Sequence, residues 1–441
     1  MVRLAAPLAL AETGWMAMGV VDTMMAGRLG AAAVGAGGLG GIMFYPIAAL
    51  GVGILLSLDT FVAQAFGARN RAECGLSLVA GVWVAIGLSP PLGAAIWSTC
   101  PLLRALGTNP RVMAQMVPFL KAFTWSIAPL LLFSAFRRYA QAVGIVRPVT
   151  FAMISANLLN FAGNWALMYG HWGVKAMGLE GSGWSTTIAR TYMAAVLFGA
   201  IVWHEIRAGR LMFSVSWRPE FRRIRQVIEL GLPAGAQFAL EGAVFGVIAV
   251  LVARLDEASL AAHGIATLVI STTYNVPVGI SSAAAVRVGH AVGREDPRGA
   301  AASGWAALLL SVVFMGAAGL AFWTASRRIV RVFIDDPAVV GIGAVLLRIA
   351  AFLELFDGLQ VVATGALRGL GDTRTSMLAH FTGYWIIGLP VAYVLCFSFG
   401  WGAPGIWVGL CAALIPIGMA LVLAWNRRIT RTAGGRLVAA G

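Results

Sequence analysis

Charged residues are scarce in this chain. Asp, Glu, Lys and Arg make up 11% of its 441 residues, whereas a soluble globular domain carries about a quarter. So little charge cannot clothe a water-soluble fold of this length, and a hydrophobic content of 59% places the chain in lipid instead. Acids are scarcer than bases, 18 against 32, for a formal net charge of +14. Cysteine is scarce too: Cys74, Cys100, Cys396 and Cys411 show no CxxC spacing, which excludes a dithiol redox pair and a thiolate metal centre. HExxH, GxSxG and Walker A patterns are missing, so the metalloprotease, serine-hydrolase and P-loop classes lose their signatures. The reading is a protein that is not an enzyme and needs no cofactor.

What the chain has is length in apolar runs. Runs of about 17–25 apolar residues cross a bilayer as helices, and twelve lie between Ala5 and Trp425. They fall near 5–27, 34–58, 76–98, 115–136, 148–169, 182–204, 228–253, 260–285, 302–325, 341–365, 376–398 and 402–425. The predicted fold class is an all-α integral membrane protein with twelve transmembrane helices. Fifty-four glycines suit helices that pack closely in lipid, where small residues let backbones approach. Met1 to Arg3 and the triplet Ala9-Leu10-Ala11 resemble a signal peptide, but the apolar run before the triplet is too short. The stretch is therefore read as the first span.

Lys and Arg are unevenly placed. The termini and the loops on their side hold about twenty, the opposite loops about eight, and positive charge collects on the cytoplasmic side. Both termini are expected in the cytoplasm, with the chain multi-pass in the plasma (inner) membrane. The densest cluster, Arg207, Arg210, Arg218, Arg222, Arg223 and Arg225, joins spans 6 and 7. Membrane lipids with anionic headgroups are its expected partners, and nucleic acid is not.

An internal repeat organises the whole. A shift of 226 residues lays Pro7 on Pro233, Gly53-Ile54 on Gly279-Ile280, and AQAFGAR at 63–69 on GHAVGRE at 289–295. The same shift lays Arg28-Leu29 on Arg254-Leu255, and with one more residue of offset QAVGIVRP at 141–148 falls on RGLGDTRT at 368–375. An even number of spans returns each half to its starting side, so the halves run parallel about an axis along the membrane normal. The expected domains are a six-span bundle at 1–205, a basic cytoplasmic connector at 206–227, a second six-span bundle at 228–426 and a cytoplasmic tail at 427–441. The two six-helix bundles are expected to be related by a pseudo-twofold and to enclose a cleft.

Six acids fall within or at the edges of spans: Glu12, Asp22, Asp59, Glu241, Glu354 and Asp357. A mid-span acid costs about 2.5–3.5 kcal/mol to insert, so each is a functional candidate. Glu354, Asp357, Gln360 and Thr364 step by three, three and four, which stacks them on one helix face, and Asn157, Asn160 and Asn164 do the same in span 5. Gln237 and Glu241 are four apart in span 7. Either these stripes are interhelical hydrogen-bond glue or they bind something. Pro7, Pro46, Pro277 and Pro390 lie in or beside apolar runs and free carbonyls there; Pro277 follows the unusually polar STTYN.

VVDTMMAG in span 1, LDTFVAQAFGA ending span 2, LPAGAQFALEG in span 7 and FDGLQVVATGALRGLGDTR in span 10 together resemble the multidrug and toxic compound extrusion (MATE) transporters, especially the NorM-like and eukaryotic branch. The resemblance covers nearly the whole chain. It implies a secondary antiporter that exports small organic compounds, often cationic drugs, in exchange for H+ or Na+ by alternating access. It also places the coupling carboxylates at Asp22, Glu241 and Asp357, and the paired polar residues of span 5 at Asn160 and Asn164. Archaeal relatives carry Asp at the second of these places, so Asn164 departs from their pattern. Asp59 matches a Leu-Asp-Thr pattern of eukaryotic members. Physics agrees: a carboxylate in a low-dielectric cleft holds a proton, a sodium ion or a cationic substrate, one at a time. Sodium wants several oxygens, which Glu241 and Asp357 with Asn or Thr neighbours supply; Gln237 and Gln360 complete the candidate binding set. A monomer is expected.

Two other readings remain. RGLGD at 368–372 has the Gly-x-Gly-Asp form of intramembrane aspartyl proteases, but Asp357 and Asp372 lie about 22 Å apart if helical, and the repeat partner QAVGIVR has no acid. A lipid-linked saccharide flippase of the same superfamily would need a cleft lined with arginine, for which Arg190, Arg287 and Arg348 are the candidates.

Overall fold

The computed structural model describes residues 2–105, 107–207 and 215–433. Arg210 of the basic cluster and the tail beyond residue 433 lie outside them. The described residues are helices joined by loops, with no strand among them.

The twelve expected spans appear as helices α1 (Val2–Gly27), α2 (Ala31–Leu55), α3 (Leu58–Gly67), α4 (Arg71–Ala105), α5 (Pro110–Thr124), α6 (Ile127–Ala142), α7 (Arg147–Tyr169), α8 (Leu179–Arg207), α9 (Phe221–Val252), α10 (Glu257–Gly293), α11 (Pro297–Arg331), α12 (Pro337–Gly369), α13 (Arg374–His380), α14 (Leu389–Tyr393) and α15 (Ala403–Ala433). Three spans are broken. Span 2 is α2 and α3, interrupted at Leu56 and Ser57, whose hydroxyl donates to Ile54 O at 2.8 Å. Span 4 is α5 and α6, bent by 42° at Trp125 and Ser126. Span 11 alternates α13 and α14 with π-helical turns at Phe381–Gly388 and Val394–Ser398; Pro390 sits between them and withholds an N–H from the ladder. The prolines at 7, 46 and 277, by contrast, lie inside continuous helices.

Loops are short and their ends are capped. Asn109, Asp296 and Asp336 each accept from the first-turn backbone and are followed by Pro at the first helical position, the arrangement that sets a helix start most sharply. Asn109-Pro110 and Asp336-Pro337 are repeat equivalents within one residue. Asp256 caps α10 with its carboxylate on the Ser259 amide (2.9 Å) and hydroxyl (2.8 Å).

Eight helical spans are apolar and long enough to cross a membrane by length and composition, and the bent α5–α6 pair makes a ninth. The remaining three, α1, α7 and α10, fall short because they carry the polar residues: Asp22, the Asn stripe, and STTYN.

The helices sort into two compact units, Leu10–Gly235 and Met1–Ala9 with Ala236–Gly441. The changeover falls inside α1 and α9, at repeat-equivalent positions: residue 9 shifted by 226 is residue 235. In the first unit Gly53 abuts the backbone of Gly235, and in the second Gly279 abuts the backbone of Ala9. A Cβ at either glycine would overlap main-chain atoms, so only glycine permits the approach. The Gly53/Gly279 identity found in the sequence therefore marks where the opening turns of α9 and α1 are seated.

Candidate functional site

Each unit gathers its own polar cluster. In the first, α1 delivers Asp22 to the Asn stripe of α7 and to α8. Asn164 Nδ2 donates to Asp22 Oδ1 at 2.6 Å, and Thr186 Oγ1 stands 3.3 Å from Oδ2. Asn160 joins them, its Oδ1 accepting from Asn164 and its Nδ2 donating to Thr186, both at 3.3 Å. Asn160 and Asn164 are fully buried. Ser185 fastens α8 to α7 by donating to Asn160 O at 2.8 Å. Asn157, one turn away, spends its amide on Gly14 O and Met153 O and does not reach Asp22; it ties α1 to α7.

Beside Asp22 lies a buried cation. Arg190 of α8 donates to Ser126 Oγ at 2.6 Å and sits over the rings of Trp15, Phe44 and Phe123 at 4.8–5.4 Å. Desolvated cation–π contacts contribute about 2 kcal/mol each, which offsets part of the burial penalty of a guanidinium. Arg190 and Asp22 also attract one another. The bend falls where Pro129, in the first turn of α6, has no N–H to give the Trp125 carbonyl, and it places the Ser126 hydroxyl at the guanidinium.

In the second unit a cavity of about 440 Å³ opens among α9, α10, α12 and α15. Glu241 and Asp357 line it with Phe238, Phe245, Tyr274 and Trp407. No Lys or Arg is among its described lining residues. Asp357 accepts from Gln360 Nε2 at 2.9 Å, so Gln360 orients the acid from the helix turn below. Glu354 lies off the cavity, fully buried against Thr273. His263 accepts at Nδ1 from Trp407 Nε1 at 3.2 Å, which leaves its Nε2 to carry the proton. Gln237 does not line the cavity. Its amide meets His380 Nε2 at 3.2 Å, and His380 Nδ1 donates to Ser376 O at 2.7 Å; the other nitrogen is thus an acceptor and the amide the donor.

Asp22, Asn160 and Asn164 therefore meet in one cluster, and Glu241, Asp357 and Gln360 in another, with Gln237 apart. Thr186, Tyr274, His263 and Trp407 were not singled out from sequence, although STTYN pointed at Tyr274. The protease reading fails on geometry: Asp372 caps α13 through the Thr375 amide (3.1 Å) and hydroxyl (2.8 Å) and pairs with Arg428 at 3.0 Å. Of the flippase arginines, Arg190 is enclosed by aromatics while Arg287 and Arg348 are exposed on α10 and α12. Elsewhere Asp59 is buried against Arg138 at 3.4 Å, and Glu12 pairs with Arg137. In the basic connector Arg223 pairs with Glu73 and Glu220, and Arg225 with Glu229.

A two-fold repeat of six helical spans with buried polar clusters is the architecture of a membrane transport protein. The profile of the MatE family matches residues 7–166 and 233–394, two segments offset by the same 226 residues as the repeat, and the chain belongs to this family. It is 33% identical to "Probable multidrug resistance protein NorM" of Mesorhizobium japonicum over 96% of this chain and 92% of the relative. It is 36% identical to the protein of that name from Rhodopseudomonas palustris, over 99% and 93%, and 36% identical to "Multidrug resistance protein NorM" of Burkholderia vietnamiensis, over 96% and 92%. The fold matches the crystal structure of the eukaryotic MATE transporter AtDTX14 with a TM-score of 0.87, 18% identity and coverage of 98% and 97%. It also matches an outward-facing multidrug resistance MATE transporter of the MOP superfamily, with a TM-score of 0.85, 15% identity and coverage of 98% and 95%.

Proposed function

We propose that this chain is a multidrug antiporter that exports organic cations in exchange for H+ or Na+, exposing its binding groups alternately to the two sides of the membrane. The observation that carries the reading is the cavity of about 440 Å³, where two acids face aromatic walls and no Lys or Arg stands among the described lining residues. Aromatic faces attract organic cations, and an acid with no internal counter-ion gains most from a cation that enters. Glu241 and Asp357 are assigned to ion coupling and cation binding, with sodium as an alternative cargo of the same oxygens, and Asp22 with Asn160 and Asn164 to a second coupling cluster. The names of the relatives support the multidrug assignment.

The orientation follows charge: both termini and the connector at 206–227 face the cytoplasm of the plasma membrane. In a variant without its native cysteines, Ser216→Cys is shielded from an impermeant thiol reagent on intact cells, while Gly107→Cys reacts. The function is tested in proteoliposomes loaded with a fluorescent organic cation. Imposed proton or sodium gradients drive its movement against its own gradient, and each is applied alone to identify the coupling ion. Movement that ignores both gradients overturns the antiport reading.

A further inference from the structure

Glu354 is not needed by the site just described, yet it is a carboxyl fully buried within the second unit. Its contacts bear on which form it takes. Thr273 Oγ1 lies 3.0 Å from Glu354 Oε2 and 2.9 Å from Ile270 O. A threonine hydroxyl owns one hydrogen. When it is given to the Ile270 carbonyl, as serine and threonine in helices commonly do, the contact to Glu354 needs a hydrogen from the glutamate itself. The other oxygen, Oε1, meets no hydrogen-bond partner among the described residues. A carboxylate buried without a cation or a full set of donors is strongly disfavoured, whereas the acid form completes a relay from Glu354 Oε2 to Thr273 Oγ1 to Ile270 O.

Among the described residues no cation acts on it to compensate a charge. Asp357, one turn along α12, adds like charge, while Glu241 of α9 and Tyr274 and His263 of α10 line the cavity that Glu354 does not reach. Cys411 of α15 lies against Ile349 O on α12, and Tyr384 comes from the π-helical segment. α11 contributes Ser311, which is buried and not ionisable. Asp357 differs from Glu354 in two respects: it opens to the cavity, and it receives the Gln360 amide, a donor suited to a carboxylate.

We propose that Glu354 is a second proton-binding site of the C-terminal unit, storing on Oε2 a proton that it exchanges with the cavity by way of Asp357. The balance is simple: a proton leaves Asp357 or the cavity and arrives on Glu354, with no other bond changed. Adjacent carboxyls that share protons titrate as a pair, so the two acids together hold one proton more than Asp357 alone. The consequence for transport rests on the proposed antiport, but the stored proton does not.

Infrared difference spectroscopy in nanodiscs at neutral pH tests the stored proton directly. The wild-type protein is expected to show the carbonyl stretch of a buried carboxylic acid, and Glu354→Gln to lose it. Thr273→Val, which removes the acceptor, shifts the band to higher frequency, and Asp357→Asn keeps the band but slows its exchange with deuterium. Loss of the band only in Asp357→Asn, or its survival unchanged in Glu354→Gln, overturns the proposal. Thr273→Val serves if Glu354→Gln does not fold, since an unshifted band there also overturns it. In proteoliposomes Glu354→Gln lowers the number of protons moved per substrate, and an unaltered number refutes the exchange through Asp357. A wild-type band in a protein that ignores ion gradients defeats the antiport reading and leaves the stored proton standing.

Discussion

The two halves of this chain descend from one six-span unit, yet their polar interiors are built on opposite plans. The N-terminal cluster is closed: Asp22 is met by Asn164 and Thr186, and a guanidinium from its own unit lies alongside. The C-terminal cavity is open: Glu241 and Asp357 face space, with Glu354 behind them. The repeat counterparts are as unlike as the sites. Asp22 corresponds to the buried Ile248 and Arg190 to Pro416. One half carries its counter-ion covalently, and the other leaves that role to whatever enters. Under the proposed function a guest cation competes with Arg190 in the first case and only with water or a proton in the second, which makes the C-terminal half the proposed binder and the N-terminal half the proposed modulator.

The largest effect separating the halves is expected from Asp357→Asn and Glu241→Gln. Each keeps side-chain volume and removes only charge, and each lowers gradient-driven export by roughly two orders of magnitude while the protein stays inserted. Wild-type export from both variants would remove the C-terminal cavity from the mechanism. Next comes Arg190→Met, which makes the closed half resemble the open one. It removes the hydrogen bond to Ser126 and the seat among Trp15, Phe44 and Phe123, and it takes from Asp22 the attraction of a nearby cation, so thermal unfolding in detergent falls markedly, and an added organic cation restores part of the loss. An unchanged melting temperature would show that Asp22 does not depend on Arg190.

A several-fold loss is predicted for Asp22→Asn, with export still measurable, because its charge is already answered within the unit. Asn157→Ala, which breaks only the tie between α1 and α7, retains most of its export, and equal losses in the two variants would make the cluster structural. The smallest effect lies outside the membrane. Ser259 donors hold the Asp256 carboxyl below the usual carboxylate range, so its contribution is present above the unfolded value of about 3.9 and fades as pH falls through the lower folded value. Asp256→Ala slightly lowers stability at neutral pH and flattens the acid limb of the stability profile in a thermal scan.

Much of this was legible in the sequence because it is periodic. The α12 stripe of Glu354, Asp357, Gln360 and Thr364 needed only a 3.6-residue repeat, and the doubling that the family profile also follows needed only self-comparison. The long-range partners were not legible. Arg190 reads as one basic residue near a span edge; its aromatic box comes from α1, α2 and α5, and nothing local encodes that meeting. Gln237 shares a helix face with Glu241 by spacing, but His380 on another helix captures it. Asp372 drew attention through a motif resemblance and proved to be a helix cap, a role written in the Thr375 three residues on. Pro7, Pro46 and Pro277 suggested breaks that do not interrupt their helices, while Pro129, not singled out from the sequence, stands three residues after the bend at Ser126.

The paired seats at Gly53 and Gly279 bear on whether the halves can be parted. Each unit is completed by helical turns that belong, by repeat, to the other half of the chain: residues up to Ala9 pack with the C-terminal unit, and Phe221 to Gly235 with the N-terminal one. Either half taken alone, cut at the connector, would leave its glycine seat without the turns that fill it, so the two halves are expected to fold as one chain and not as separable pieces.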